Sequence, residues 1–476
     1  MKSIASILSI IALGFGLLGC PGGGDGSSSG SSGGSGTVVY LADQNTNGVF
    51  ELYLATSGTR INPQLVPGGT VTSFALTPDA SAVIYIADQD LDNVFELYLV
   101  SLATPGVSTK LNPVFAFGQN VVEFAVTPNN SAVVYRADQD NDETFELYRT
   151  ALASGVNSRL IDPLLLQPGQ DVETFVVLPN STGVIYRADQ DTDGVSELYR
   201  VLFATAPLIN DRLVAPPLVV GQNVGAFAAT PDSANVVYIV NRPPASTQLF
   251  IVPAAGGSNI VLNDVLVANG DVTSFAVTPD GLSVVYRADQ DTDEVFELYR
   301  TVIATAPGST KLNPNLVPGG DVTLFGVIPD SSGVVYIADQ TTNNVFELFQ
   351  TVFPFVNSQL NPAFTAPKNV VDFVLFPNST GVVYKADQNT PSVNEIYQVL
   401  FGIPGSTRLN PALVLGQNVS TYAVAPDSSS AIYRANQDVP ASIELYRTSF
   451  SSPGSSTKLN SPSLVAGEDV TNFTVR

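Results

Sequence analysis

The densest chemistry in this chain lies in carboxylates set at alternate positions of four short loops. These are Asp88, Asp90, Asp92 and Glu96; Asp138, Asp140, Asp142 and Glu146; Asp189, Asp191, Asp193 and Glu197; and Asp289, Asp291, Asp293 and Glu297. Alternating oxygen ligands on a tight loop suit calcium, a hard cation that takes about six to eight oxygens. The last acid sits at the ninth loop position, whereas the helix-loop-helix calcium motif needs it at the twelfth, so that motif is excluded. The other reading is of hairpin tips whose carboxylates cap backbone amides and face water. Like charges about 5 Å apart in water repel by only roughly 0.8 kcal/mol per pair, which an exposed loop tolerates without a cation. Three of the loops carry an arginine on each flanking strand, Arg136 with Arg149, Arg187 with Arg200, and Arg287 with Arg300. Those arginines offer countercharge without metal. The loop of Asp88 is flanked instead by Ile86 and Leu99, which makes it the sharpest calcium candidate. Calcium is the one cofactor the residues suggest.

Other chemistries lack their residues. With no histidine and a single cysteine, the chain offers neither Ser-His-Asp nor Cys-His catalysis, nor an imidazole zinc site. No glycine loop with its lysine is present for phosphate. Glycoside hydrolysis needs two carboxyls about 5 to 9.5 Å apart, and acids from different segments can supply them. Yet the acids here recur from unit to unit, while catalysis wants one asymmetric constellation, so the chain reads as a non-enzyme. The formal charge of −23, with 20 scattered Lys and Arg, excludes nucleic acid as a partner.

The elements that position the acids are repeats. The block Y-R-A-D-Q-D-x-D-x-x-x-E-L-Y opens at Tyr40, Tyr85, Tyr135, Tyr186, Tyr238, Tyr286, Tyr336, Tyr384 and Tyr433, in steps of 45 to 52 residues. That period fits a four-stranded propeller blade. One unit, 271–314, divides into strand A at Val272 to Thr278, a Pro-Asp-Gly turn, strand B at Ser283 to Ala288, strand C at Phe296 to Val302, and a short strand D at Lys311-Leu312. The acidic loop joins B to C. The chain begins its first unit at B and ends on a lone A strand, 469–476, so the last strand is expected to complete the first blade and close the ring. The expected fold is an all-β propeller of nine four-stranded antiparallel blades, with units at about 37–63 plus 469–476, 70–113, 120–163, 171–216, 223–264, 271–314, 321–362, 369–411 and 418–462. Unit five departs: Asn241-Arg242-Pro243-Pro244 replaces the acidic tip and Gln248-Leu249-Phe250 replaces Glu-Leu-Tyr, which reads as a docking blade or as drift.

The string T-P-D-G-x-x-V-V-Y-x-A-D-Q-D, clearest at 278–291, resembles the TolB-like β-propeller repeat, and the resemblance spans nearly all of 37–476. It implies the propeller fold but no single activity, since such repeats occur in scaffolds, binders and non-catalytic peptidase domains. Residues 1–19 read as a secretory leader with Lys2 before an apolar stretch. Leu17-Leu18-Gly19-Cys20 resembles a bacterial lipobox, which implies cleavage before Cys20 and acylation of that residue. A Gly/Ser tether follows at 20–36, and Pro21 after the cysteine implies, by likeness to lipoprotein sorting, an outer-membrane destination. The expected protein is a lipid-anchored cell-envelope scaffold, bound to the membrane through Cys20 and to an envelope protein or glycan through its body. A carbohydrate-active propeller using Asp and Glu is the alternative.

Overall fold

The computed structural model describes residues 36–162, 166–167, 169–204, 209–243 and 245–476, and the expected leader, Cys20 and nearly all of the tether lie outside them. Four antiparallel strands make each of nine sheets. The chain is a nine-bladed β-propeller. Strands A, B, C and D of blade 2 are Val71–Leu76, Ala82–Ala87, Glu96–Ser101 and Ser108–Lys110, and the other blades repeat them. Among the described residues no helix is long and apolar enough to cross a membrane.

Closure takes the expected form. Val38–Ala42, strand B of blade 1, pairs with Val470–Val475, which serves as its strand A, in the register Tyr40↔Phe473. The first and last strands therefore share a sheet, and strand B of blade 1 is not left as an edge.

Alternation along the strands sends one face of each sheet to the blade before it and the other to the blade after. In blade 2, Val83, Tyr85, Ala87 and Tyr98 pack with Val39, Leu41 and Leu52 of blade 1, whereas Ile84, Ile86 and Leu97 pack with Val133, Tyr135 and Tyr148 of blade 3. Nine such clusters fill the nine blade interfaces, the one between blades 9 and 1 included. Each blade stacks the aromatic of strand B on that of strand C, as Tyr85 on Tyr98 at 5.4 Å between centroids. The offset geometry adds to the area both rings bury.

Strand D of blade 6 is Ser309–Lys311 rather than Lys311-Leu312. Leu312 N–H still reaches Leu298 O at 2.8 Å, but Leu298 N–H turns to the side chain of Asn313 at 2.7 Å, so a side-chain amide ends the ladder. The same asparagine recurs as Asn62, Asn112, Asn263, Asn361, Asn410 and Asn460.

Candidate functional site

Because the strands alternate in direction, all B–C hairpins and all connections from D to the next A lie on one face of the ring, with the A–B and C–D turns on the other. The acid-rich loops are thus gathered on one face. Within each loop they diverge.

The first acid holds backbone. Asp88 Oδ1 accepts Thr70 N–H at 2.6 Å, just before strand A of its own blade, and Oδ2 accepts Asn93 N–H at 3.0 Å in its own tip. Asp189 does the same for Asp171 and Gly194, and Asp138 for Asn120 and Glu143. Asp289 accepts from Asp271 and Glu294, while Asp339 and Asp387 repeat the pattern. The tip residue that donates has positive φ whether it is Gly194 (73°) or Glu143 (61°), so the aspartate stabilises a left-handed turn that the sequence does not mark with glycine.

The last acid is buried at the start of strand C. Glu96 is 2% exposed and accepts Tyr98 OH at 3.0 Å, Lys110 Nζ at 2.6 Å and Phe115 N–H at 3.2 Å. Glu146 meets Tyr148 OH and Arg159, Glu297 meets Tyr299 OH and Lys311, and Glu197 meets Tyr199 OH and Leu218 N–H with Arg212 at 3.9 Å. Desolvation raises the carboxyls of Glu146 and Glu197 above the usual range, opposed by these donors.

The middle acids are the exposed ones. Asp90 pairs with Lys110 at 3.0 Å, Asp140 with Arg159 at 3.2 Å and Asp191 with Arg212 at 2.9 Å. Asp291 lies close enough to Tyr299 to raise its pKa. Asp92 and Asp142 lie against Gly68 and Gly118, Asp293 accepts from Asn269, and Asp193 is exposed at its tip. Among the described residues no three of His, Cys, Asp and Glu stand together as a metal site would need. In this arrangement the first acid of a loop holds backbone amides, the second and last share the strand-D cation in three loops, and no loop brings its carboxylates to one point.

The countercharge comes from strand D, not from the arginine pairs. Arg136 bonds Glu123 of strand A at 3.1 Å and Val172 O of the next blade, and Arg187 likewise bonds Glu173 and the carbonyl of Gly225. Arg149 and Arg300 lie over Phe203 and Phe353, 4.8 and 4.1 Å from the ring centroids. These arginines latch one blade to the next. In the sequence the strand-D cations Lys110, Arg159, Arg212, Lys311, Arg408 and Lys458 are marked only by spacing, each standing 13 to 15 residues after its glutamate.

A second set also escaped the sequence reading. The residue that leads into strand A, or opens it in the case of Asn223, is Asn120, Asp171, Asn223, Asp271, Asp321, Asn369, Asn418 or Asp469 in eight blades, and its side chain accepts the amide at the start of the preceding blade's strand C, as Phe145 N–H to Asp171 at 2.7 Å. In seven of these blades its own N–H donates to the Asp or Asn that opens the hairpin, so a chain of bonds crosses those interfaces. The signal was the recurring Asx-Val that opens strand A. Blade 2 has Thr70 instead, and its buried hydroxyl has no partner.

Strand A faces the ring axis, and its carboxylates Glu123, Glu173 and Asp372 each carry an ion pair there, with Arg136, Arg187 and Lys385. On the hairpin face the D-to-A connections expose Val114, Phe117, Val219, Val220, Val265, Val414, Leu415 and Val465, the most open being Val265 at 94%. A shallow cleft of about 300 Å³ between blades 9 and 1 is bounded by Asn418, Ser420, Asn436, Ser442 and Asp469.

No family model and no curated protein matches this chain. Solved structures do. A eukaryotic initiation factor aligns over 90% of this chain and 97% of its own at TM-score 0.57 and 12% identity. Porphyromonas gingivalis dipeptidyl peptidase 4 aligns over 82% and 60% at TM-score 0.55 and 10% identity. TolB from Acinetobacter baumannii is also similar, over 56% and 61%, with TM-score 0.31 and 16% identity. At these identities the likeness is one of fold.

Proposed function

We propose that this protein is a non-catalytic scaffold of the bacterial envelope, anchored through acylated Cys20, whose hairpin face docks a protein partner. One observation carries the reading. On that face the first and last acids of the loops are engaged in holding the fold, while eight large apolar side chains stand open on the connections between acidic tips. Such a surface offers contact without a reactive constellation: apolar anchors rimmed by negative charge. It is matched by a partner with apolar and basic side chains. The leader, the lipobox and the tether support placement at the membrane.

The test is capture of envelope proteins by the body of the protein, compared with a variant carrying Phe117→Ser, Val220→Ser and Leu415→Ser. A partner retained by the native surface and lost by the variant supports docking. Equal retention by both, or reducing-end release from a polysaccharide, overturns the reading.

A further inference from the structure

In eight blades the hydroxyl of the strand-B tyrosine donates to a glutamine four residues on, as Tyr85 to Gln89 at 2.6 Å. Blade 5 replaces that whole corner. The residue paired in register as Glu96 is in blade 2 is Gln248, Tyr98 becomes Phe250, the strand-D cation Lys110 becomes Val261, and glutamine becomes Arg242. The acid and its cation are both gone, and a new cation stands at the tyrosine.

Arg242 lies over the Phe250 ring, 4.8 Å from its centroid, and Phe250 stacks on Tyr238 at 5.6 Å. No ion pair reaches Arg242 among the described residues, and its buried Nε has no hydrogen-bond partner. The Tyr238 hydroxyl, on a side chain 0% exposed, also lacks one, and so do both polar atoms of the Asn259 amide. Elsewhere the residue at the Asn259 position is satisfied: Asn157 reaches Tyr135 OH and Thr150 Oγ1, but the threonine's counterpart in blade 5 is Val252. Arg242 stacks on Phe250 and Phe250 on Tyr238, while the register Ile251↔Ile260 sets Asn259 where Asn157 reaches the tyrosine in blade 3, so the three groups share one corner. Glu197 of blade 4, across the interface, is already held by Leu218 N–H and Tyr199 OH.

Unpartnered buried donors are costly, and several converging on one spot want an acceptor. We propose that this corner, between blades 4 and 5 on the hairpin face, binds a carboxylate. A single guanidinium matches one negative charge and presents parallel N–H groups to two coplanar oxygens, with Tyr238 OH and the Asn259 amide as further donors. A phosphate dianion would need a second cation. This site goes beyond the docking surface and does not depend on it.

Equilibrium dialysis of the full chain against labelled acetate and labelled glucuronate, with inorganic phosphate as competitor, tests it. Arg242→Gln restores the residue of the other eight blades and gives Tyr238 its usual partner, so the variant keeps its fold, as melting verifies. One saturable site per chain is expected, weakened about tenfold or more in that variant and about threefold by Tyr238→Phe, which removes one donor. Tighter binding of glucuronate than of acetate identifies an acidic sugar as the source, and equal binding identifies the carboxylate alone; both support the site. No saturable uptake, uptake undiminished in Arg242→Gln, or phosphate outcompeting both carboxylates overturns it.

Discussion

Glu96 and Lys110 show why single acids here are structural. Their pair is reached by a tyrosine hydroxyl and a backbone amide, so removing one partner leaves a buried charge uncompensated, at a cost of about 3 kcal/mol. Lys110→Met should therefore lower the denaturation midpoint strongly. The double variant Lys110→Val with Glu96→Gln, the pairing that blade 5 carries as Val261 and Gln248, should recover most of the loss, and a double variant no better than the single would refute the argument. Thr70 gives the opposite case. Its hydroxyl is buried and unpartnered where eight blades have Asn or Asp, so Thr70→Asn should stabilise by about 1 kcal/mol, read as a raised midpoint in urea.

At the scale of the hairpin, the acids form a turn rather than a cage. Asp88 has both oxygens on backbone amides and Glu96 faces strand D, which leaves Asp90 and Asp92 as the outward carboxylates. A calorimetric melt in chelator and then in millimolar calcium is expected to show no calcium-dependent rise. A rise that Asp88→Asn, Asp90→Asn and Asp92→Asn together abolish would instead establish a ligand loop. The A–B turns act as elements too: Asp330 N–H bonds Ser379 Oγ at 2.9 Å and Asn180 N–H bonds Ser233 Oγ at 3.0 Å, tying successive blades on the opposite face.

For the whole molecule, stability rests on a closed ring. Asp469 N–H reaches Asp43 Oδ1 at 2.7 Å across the joined ends, and Val470 and Phe473 pack in the interface of blades 9 and 1. Deleting 469–476 should expose strand B of blade 1 as an edge and lower the melting temperature by several degrees, with self-association in sedimentation. The buried tyrosine pairs set the alkaline limit. Burial raises Tyr40 from 10.0 to about 12 and pushes Tyr85, Tyr98 and Tyr148 still higher. A folded pKa above the unfolded one leaves stability intact below pH 10 and removes it as pH climbs toward the folded value. Tyrosinate absorbance should therefore appear together with loss of the near-ultraviolet circular dichroism signal, and tyrosines ionising near pH 10 in a still-folded ring would contradict it.

The spacing of tyrosines, the alternation within strands and the lone terminal A strand were enough to determine nine blades, their B strands and their closure, because those features depend on local period and on the need to pair every edge. Residue types also marked which loops carry acid. They could not say which acid does what. That Asp88 holds the entry to strand A, that Glu96 meets Lys110 fourteen residues on, and that Arg136 reaches Val172 O in another blade are decided by how strands pair and blades abut. Loop spacing is one-dimensional, while the competition between a cation, a backbone amide and a lysine for one carboxylate is settled by which of them the packed sheets bring within hydrogen-bond reach.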